Sequence, residues 1–300
     1  MTGNSRSPRV RAPLATATAP GQSAGQANRY PGPVISVFTP SHDPRWLDEA
    51  LYSMLAQTRD DWEWIVLLNG HADWAPPADE RVHVQRSTLE NIGALKAQAC
   101  ALARGEILVE LDHDDVLLPE ALDLIDAAFA GEPAATLVYS DFAQMDASGQ
   151  PELSTFDLSM GWRSTMELVD GAAYKRWHAF EPTPANVGII WFAPNHVRAF
   201  RTSSYRQIGG HDPSREILDD LDLIHRLYLL GPFLHIPRLL YLARVHDSNS
   251  QRDPERNARI QTETIQLYCQ RREALHQAWE NRLKGAEVVA ERLAQAAEER

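Results

Sequence analysis

Asp112-His113-Asp114-Asp115 places three carboxylates within four residues, directly after the apolar run Ile107 to Leu111. Two carboxylates about 4 Å apart repel by about 1 kcal/mol in water and about 4 kcal/mol at an effective dielectric of 20, so the cluster calls for a cation. Oxygen ligands select a hard divalent ion, Mg2+ or Mn2+, which keeps positions open for phosphate oxygens. In an extended chain the spacing of two puts Asp112 and Asp114 on one side. The same residues also read as a solvated turn whose acid caps the next helix. A second acidic stretch, Asp219-Asp220-Leu221-Asp222, opens a helical pattern; acids in a first turn complement the helix dipole and need no chemistry. His246 follows Arg244-Val245 at the end of an apolar run. A histidine at a strand end is ordinarily structure or surface.

These residues need a frame, and the apolar patterning supplies one. Val34 to Phe38 reads as a strand, followed by Asp43 as a helix N-cap, Pro44 at the first helical position and a buried stripe of Leu47, Leu51 and Met54. Trp64 to Leu68 and Val82 to Val84 read as strands two and three, before a helix over roughly 92–103 that stops at Gly105. Ile107 to Leu111 is the fourth strand, Leu118, Leu122, Ile125 and Phe129 mark a helix face, and Thr136 to Tyr139 is the fifth strand. Strands alternating with helices imply a mainly parallel α/β sheet with ligands at the carboxyl ends of its strands, where Asp112 falls. Residues 146–187 lose this regularity and read as a long excursion or lid. Beyond it come a strand over Gly188 to Phe192, a helix over Asp219 to Leu230 ended by Gly231-Pro232, and a strand over Leu239 to Val245. Helical spacing runs on from Pro254 through Leu275, Trp279 and Leu283, as a packing helix.

The chain has 300 residues, 44% hydrophobic and 23% charged, a globular composition that excludes disorder throughout. No apolar run approaches the roughly 18 residues of a membrane helix. Cys100 and Cys269 lie too far apart in sequence for a disulfide framework or zinc knuckle, which fits a reducing, cytoplasmic setting. The net charge of −12 disfavours free nucleic acid as a partner. Residues 1–31, rich in Ala, Pro, Ser and Gly, lack periodicity and read as a disordered tail.

Several short motifs in register carry a resemblance. Thr39-Pro40-Ser41-His42-Asp43, Leu55-Ala56-Gln57-Thr58, Asp61-Trp62-Glu63-Trp64-Ile65-Val66, Asn91-Ile92-Gly93, Gly105-Glu106 and Asp112-His113-Asp114-Asp115 resemble the family-two inverting glycosyltransferases. The resemblance implies a GT-A fold, a Rossmann-like mixed sheet, over 32–253, with a donor half at about 32–146, an acceptor half at about 147–253 and a helical extension at 254–300. It implies a nucleotide-sugar donor, UDP-linked by default with dTDP or GDP as alternatives, and Mn2+ or Mg2+. Asp112 and Asp114 fall on the family's Asp-x-Asp motif, which holds the ribose and the metal, with Asp115 in reserve. Asp220 matches the general base that takes the acceptor's proton, with Asp in place of Glu at 219, a residue read here as a cap. His246 matches a histidine beside the metal or diphosphate.

Other positions depart from the family pattern. His42 replaces an aromatic that lies against the base, and Leu68-Asn69-Gly70-His71 replaces Asp-Asp-Gly-Ser; Asn69 still offers a donor and an acceptor to uracil. Thr39, Asn91 and Lys96 match the nucleotide side, although Asn91 also reads as a helix cap and Lys96 as a solvated helix lysine. Arg244 and Arg252 are candidates for phosphate contact. Trp162, Trp177 and His178, with Tyr174, lie where the family shapes its acceptor site, or form the excursion's own core. The acceptor is a hydroxyl of a glycan, lipid-linked, small-molecule or protein substrate. Competing readings are a nucleotidyl- or phosphotransferase, which needs a cluster of cations near the attacked phosphate, and a non-catalytic module that only binds nucleotide or glycan.

Overall fold

A computed structural model describes residues 34–153, 156, 158–247, 249 and 253–298; the expected tail at 1–31 and Arg252 lie outside them. The chain runs β1 (Ile35–Ser41), α1 (Leu47–Leu55), β2 (Trp62–Asn69), β3 (Val82–Ser87), α2 (Ile92–Leu102), β4 (Ile107–Glu110), β5 (Val116–Leu117), α3 (Ala121–Gly131), β6 (Leu137–Asp146) and β7 (Pro151–Glu152). It continues through β8 (Ser164–Val169), β9 (Ala172–Trp177), α4 (Pro184–Gly188), β10 (Arg198–Arg201), α5 (Thr202–Gln207), α6 (Asp219–Leu230), β11 (Phe233–Val245) and α7 (Pro254–Glu298). The main sheet has the order β3-β2-β1-β4-β10-β6-β11-β5. β1, β2, β3 and β4 are parallel, as are β6 and β11, while β10 runs antiparallel between β4 and β6. β1 is buried along its whole length, because helices cover both faces of a parallel sheet.

Burial divides between the two faces. One carries Ile35, Val37, Trp64 and Val109 against Leu47, Met54, Leu122 and Ile125. The other carries Phe38, Ile65, Leu108 and Tyr139 against Leu95, Leu221, Leu227 and Leu275. α7 reaches that second face by packing on α4 and α6.

The mixed α/β sheet, the flanking helices and the C-terminal helix agree with the expected fold class; three local expectations are corrected. Asp43 does not cap a helix, because its carboxylate accepts from Arg45 N and Nε at 3.1 and 2.6 Å, and α1 starts only at Leu47. Gly188 to Phe192 is no strand. Thr183 accepts from Asn186 N, Pro184 sits at the helix start, and the short α4 forms instead. The strand filling the sheet is β10, ten residues past Gly188. The stretch 146–187 is not irregular throughout: β8 and β9 pair as a hairpin through Asp170 (φ 49°) and Gly171 (φ 82°), two left-handed residues that match the strands' twist.

Candidate active site

The carboxyl ends of β1, β2 and β4 and the facing ends of β10, α6 and β11 converge on the acidic loop after β4. Thr39 fastens that loop to β1: its hydroxyl donates to Leu111 O at 2.7 Å and accepts from Trp64 Nε1 at 2.8 Å. Its side chain is therefore fully buried and spent inside the sheet, which corrects its expected place at the donor. Asp112 N donates to the Tyr241 hydroxyl at 3.1 Å, and Asp115 N donates to Asp112 O at 3.2 Å, closing a turn. The turn gathers Asp112, Asp114 and Asp115 so that one oxygen of each lies within 4.8 Å of the others. His246 Nε2 lies 2.8 Å from Asp114 Oδ2, with its ring against Trp46. Four side chains thus present the oxygen and nitrogen donors that suit Mn2+ or Mg2+. Burial and the adjacent Asp114 and Asp112 push the Asp115 carboxyl well above the usual range, the repulsion a cation relieves.

Asp115 and Arg244 brace this loop. Arg244 N donates to Asp115 Oδ1 at 2.6 Å, and its Nε donates to Asp114 O at 2.7 Å. The guanidinium also pairs with Glu49 and is fully buried, so Arg244 is not placed to meet a phosphate. His42 and His113 form a T-shaped pair with centroids 4.9 Å apart; burial, then His113, lowers the His42 pKa. Asn69 ends β2, half-buried, beside the buried Leu68. Asn91 is a helix cap, accepting from Gly93 N and Ala94 N. A Cβ on Gly93 would fall 2.2 Å from Asp212 O, so only glycine lets α2 approach the loop before α6.

Lys96 is not the solvated lysine its helix position suggests. Its buried ammonium lies 2.6 Å from Glu110 and 2.8 Å from Asp219. Burial lowers its pKa, but Asp219 and Glu110 prevail and hold it well above the ordinary value. Asp219 is likewise no cap; Leu218, at φ 55°, holds the N-cap position without a side-chain bond. Asp220 sits in the first turn of α6, its Oδ2 accepting from Arg198 Nη1 at 3.0 Å and its Oδ1 from Leu221 N at 2.8 Å. Burial raises its pKa, yet Arg198 and Lys96 bring it below the usual carboxylate range, so the group is an ionised, weak base at neutral pH.

The expected acceptor aromatics are not on this surface. Trp162 and Trp177 are buried with Phe142, and with the partly buried Phe156 and Phe180 they extend the core of the first sheet face towards the β8–β9 hairpin. His178 is one-third exposed and 3.3 Å from the buried Asp141. Patterning did not single out Glu110, His196, Arg198 or Tyr241. A glutamate inside an otherwise apolar strand, Ile107-Leu108-Val109-Glu110, is the signal that was available.

The model of the glycosyl transferase family 2 matches residues 36–207, more than half of the chain and including the acidic loop but not Asp220 or His246. The O-antigen biosynthesis protein RfbC of Myxococcus xanthus is 33% identical over 130 residues, 39% of this chain and 10% of that protein. The chondroitin synthase of Escherichia coli is 23% identical over 228 residues, 73% of this chain and 30% of that protein. The chain therefore spans well under half the length of these relatives. Among solved structures, S. aureus TarS 1-349 superposes with a TM-score of 0.53 at 14% identity, covering 78% of this chain and 64% of that one. The same protein in complex with UDP-GlcNAc gives 0.52 at 15% identity, covering 78% and 70%.

Proposed function

The chain belongs to glycosyl transferase family 2, and from that premise we propose that it moves a sugar from a UDP-linked donor to an acceptor hydroxyl, with inversion and with a divalent metal. The observation that carries the reading is the meeting of Asp112, Asp114 and His246 at the carboxyl end of the sheet, with His246 Nε2 2.8 Å from Asp114. TarS structures hold UDP and UDP-GlcNAc, which supports uracil as the donor base. The acceptor is a hydroxyl on a glycan, lipid-linked, small-molecule or protein substrate.

Asp114 and His246 would hold the metal, with Asp112 between metal and ribose. The ion supplies Lewis-acid neutralisation of charge on the departing diphosphate. Asn69 and His42 line the base side. Asp220 takes the proton from the acceptor hydroxyl as its oxygen attacks the anomeric carbon opposite the diphosphate, and that geometry inverts the centre. A phosphotransferase reading loses its footing, because Lys96, Arg198 and Arg244 are all bound to carboxylates or carbonyls. Two free cysteines, Cys100 buried and Cys269 exposed, support a reducing, cytoplasmic setting. Among the described residues no helix is long and apolar enough to cross a membrane.

Thermal melts with UDP, dTDP and GDP, each with and without Mn2+, test the donor site. A ligand at 100 times its Kd adds about 2.7 kcal/mol, a shift of roughly 5 °C or more for a domain of this size. The expected result is a Mn2+-dependent shift with UDP that Asp114→Ala abolishes. Equal shifts with and without metal, or none with any nucleotide, would overturn the reading.

A further inference from the structure

Resting on the transfer reading above, we infer that Arg198 is the positioning residue of the site, holding the base Asp220 in fixed register with the donor-binding carboxylate Asp112. Arg198 heads β10, where the sheet register sets it opposite Glu110 on β4 and Tyr139 on β6. Its side chain is 5% exposed. Each guanidinium nitrogen has its own partner: Nε donates to Glu110 Oε2 at 2.9 Å, Nη1 to Asp220 Oδ2 at 3.0 Å, and Nη2 to His196 Nε2 at 2.7 Å.

An arginine carries only donors, so His196 Nε2 must accept, which leaves the ring proton on Nδ1. The His196 ring stacks on Tyr241 with centroids 5.0 Å apart and planes 20° apart. The Tyr241 hydroxyl in turn accepts from Asp112 N. From Asp220 to Asp112 the contacts thus run through Arg198, His196 and Tyr241 without a break. A planar fork fixes three directions at once, which an ammonium does not. Lys96 illustrates the difference, because its point charge is spent on Glu110 and Asp219.

Asp220 is faced by Arg198 from β10, Lys96 from α2, Glu110 from β4 and Asp219 from its own helix. Its Oδ1 is steered by Leu221 N and its Oδ2 by Arg198, while a quarter of the side chain stays exposed for an acceptor hydroxyl. Without the Arg198 fork, the first turn of α6 alone orients the carboxylate. A base displaced by about 1 Å costs roughly 100-fold in rate.

The test uses the full chain with UDP-GlcNAc and Mn2+ as the probe, water as acceptor, and the variants Arg198→Gln and Arg198→Lys. Arg198→Gln is expected to lower kcat for UDP release roughly 100-fold, with KM for UDP-GlcNAc unchanged; Arg198→Lys restores part of it. Carbon-13 NMR of the aspartate carboxyls, with the Asp220 signal assigned by its loss in Asp220→Asn, reads the contact without any substrate. That signal should titrate at higher pH in Arg198→Gln and return towards its original position in Arg198→Lys. An unchanged kcat and an unmoved Asp220 titration in Arg198→Gln overturn the inference, as does a loss confined to KM. If Arg198→Gln does not fold, Arg198→Lys decides alone: kcat equal to that of the unsubstituted chain counts against the fork. If the unsubstituted chain releases no UDP, the transfer reading fails, while the carboxyl titration still decides whether Arg198 holds Asp220.

Discussion

Lys96, Glu110, Arg198, Asp219 and Asp220 form a charge network in which Lys96, Glu110, Arg198 and Asp220 are held ionised by their neighbours, while burial raises the Asp219 carboxyl above its ordinary value. Glu110 lies well below the usual carboxylate range, because Arg198 and Lys96 outweigh the penalty of its burial. Removing one partner leaves an uncompensated charge in a low dielectric, so Lys96→Met should lower stability by about 3–5 kcal/mol, measured as the urea midpoint. A surface lysine would give less than about 1 kcal/mol. At this scale the sequence was half legible. The carboxylates of the acidic loop stand out by their density directly after an apolar strand, whereas Asp220 and His246, ordinary for a helix start and a strand end, are legible only through the family resemblance. Arg198 is not legible at all, and Lys96 is legible only as a nucleotide-side match that doubles as a solvated helix lysine; their shared pairing appears once the sheet register brings Glu110 between them. His246→Ala should weaken UDP binding only in the presence of Mn2+, read by titration calorimetry with and without metal; equal weakening in both would place His246 on the nucleotide instead.

Among the elements, the β8–β9 hairpin joins the main sheet where Trp177 on β9 pairs with Phe142 on β6, and a buried carboxylate next to that pair braces the junction. Asp141 on β6 accepts from Arg176 Nε at 2.7 Å, His235 Nε2 at 2.7 Å and Ala179 N at 2.8 Å. Burial raises the Asp141 pKa, but His235, the Ala179 amide and Arg176 bring it below the ordinary value. A carboxylate whose folded pKa is depressed contributes stability above its unfolded pKa of about 3.9 and loses it as pH falls through the folded value. Stability should therefore decline below about pH 4, and Asp141→Asn should flatten that decline while speeding amide exchange across 164–177. The hairpin was readable in principle: Asp170-Gly171 between alternating residues is a two-residue turn signal. It was obscured by Gly and Pro on either side, which make the whole stretch resemble a loop. Gly171→Val, at φ 82°, should cost about 1–2 kcal/mol, read by the same urea midpoint.

For the whole molecule, alternating strands and helices announced the α/β sheet because a parallel sheet leaves continuous apolar runs, which β1, β2 and β4 all show. β10 escaped notice because its four residues carry two arginines, at 198 and 201, and its antiparallel insertion between β4 and β6 is a tertiary fact. The long α7 closes the second face of the sheet, with Leu275 fully buried in the cluster that holds Phe38, Leu95 and Leu221. Leu275→Ala should cost about 2–5 kcal/mol, a loss read from chemical denaturation of the full chain. This architecture brings the acidic loop, His246 and the first turn of α6 to one end of the sheet, and the central claim is that a sugar is transferred there. Release of UDP from UDP-GlcNAc, followed with and without Mn2+ in the unsubstituted chain and in Asp220→Asn, tests that claim most directly. The account predicts metal-dependent release that falls at least ~100-fold in Asp220→Asn while the UDP affinity is retained; release that proceeds equally without metal, or an Asp220→Asn variant that turns over at the original rate, would contradict it.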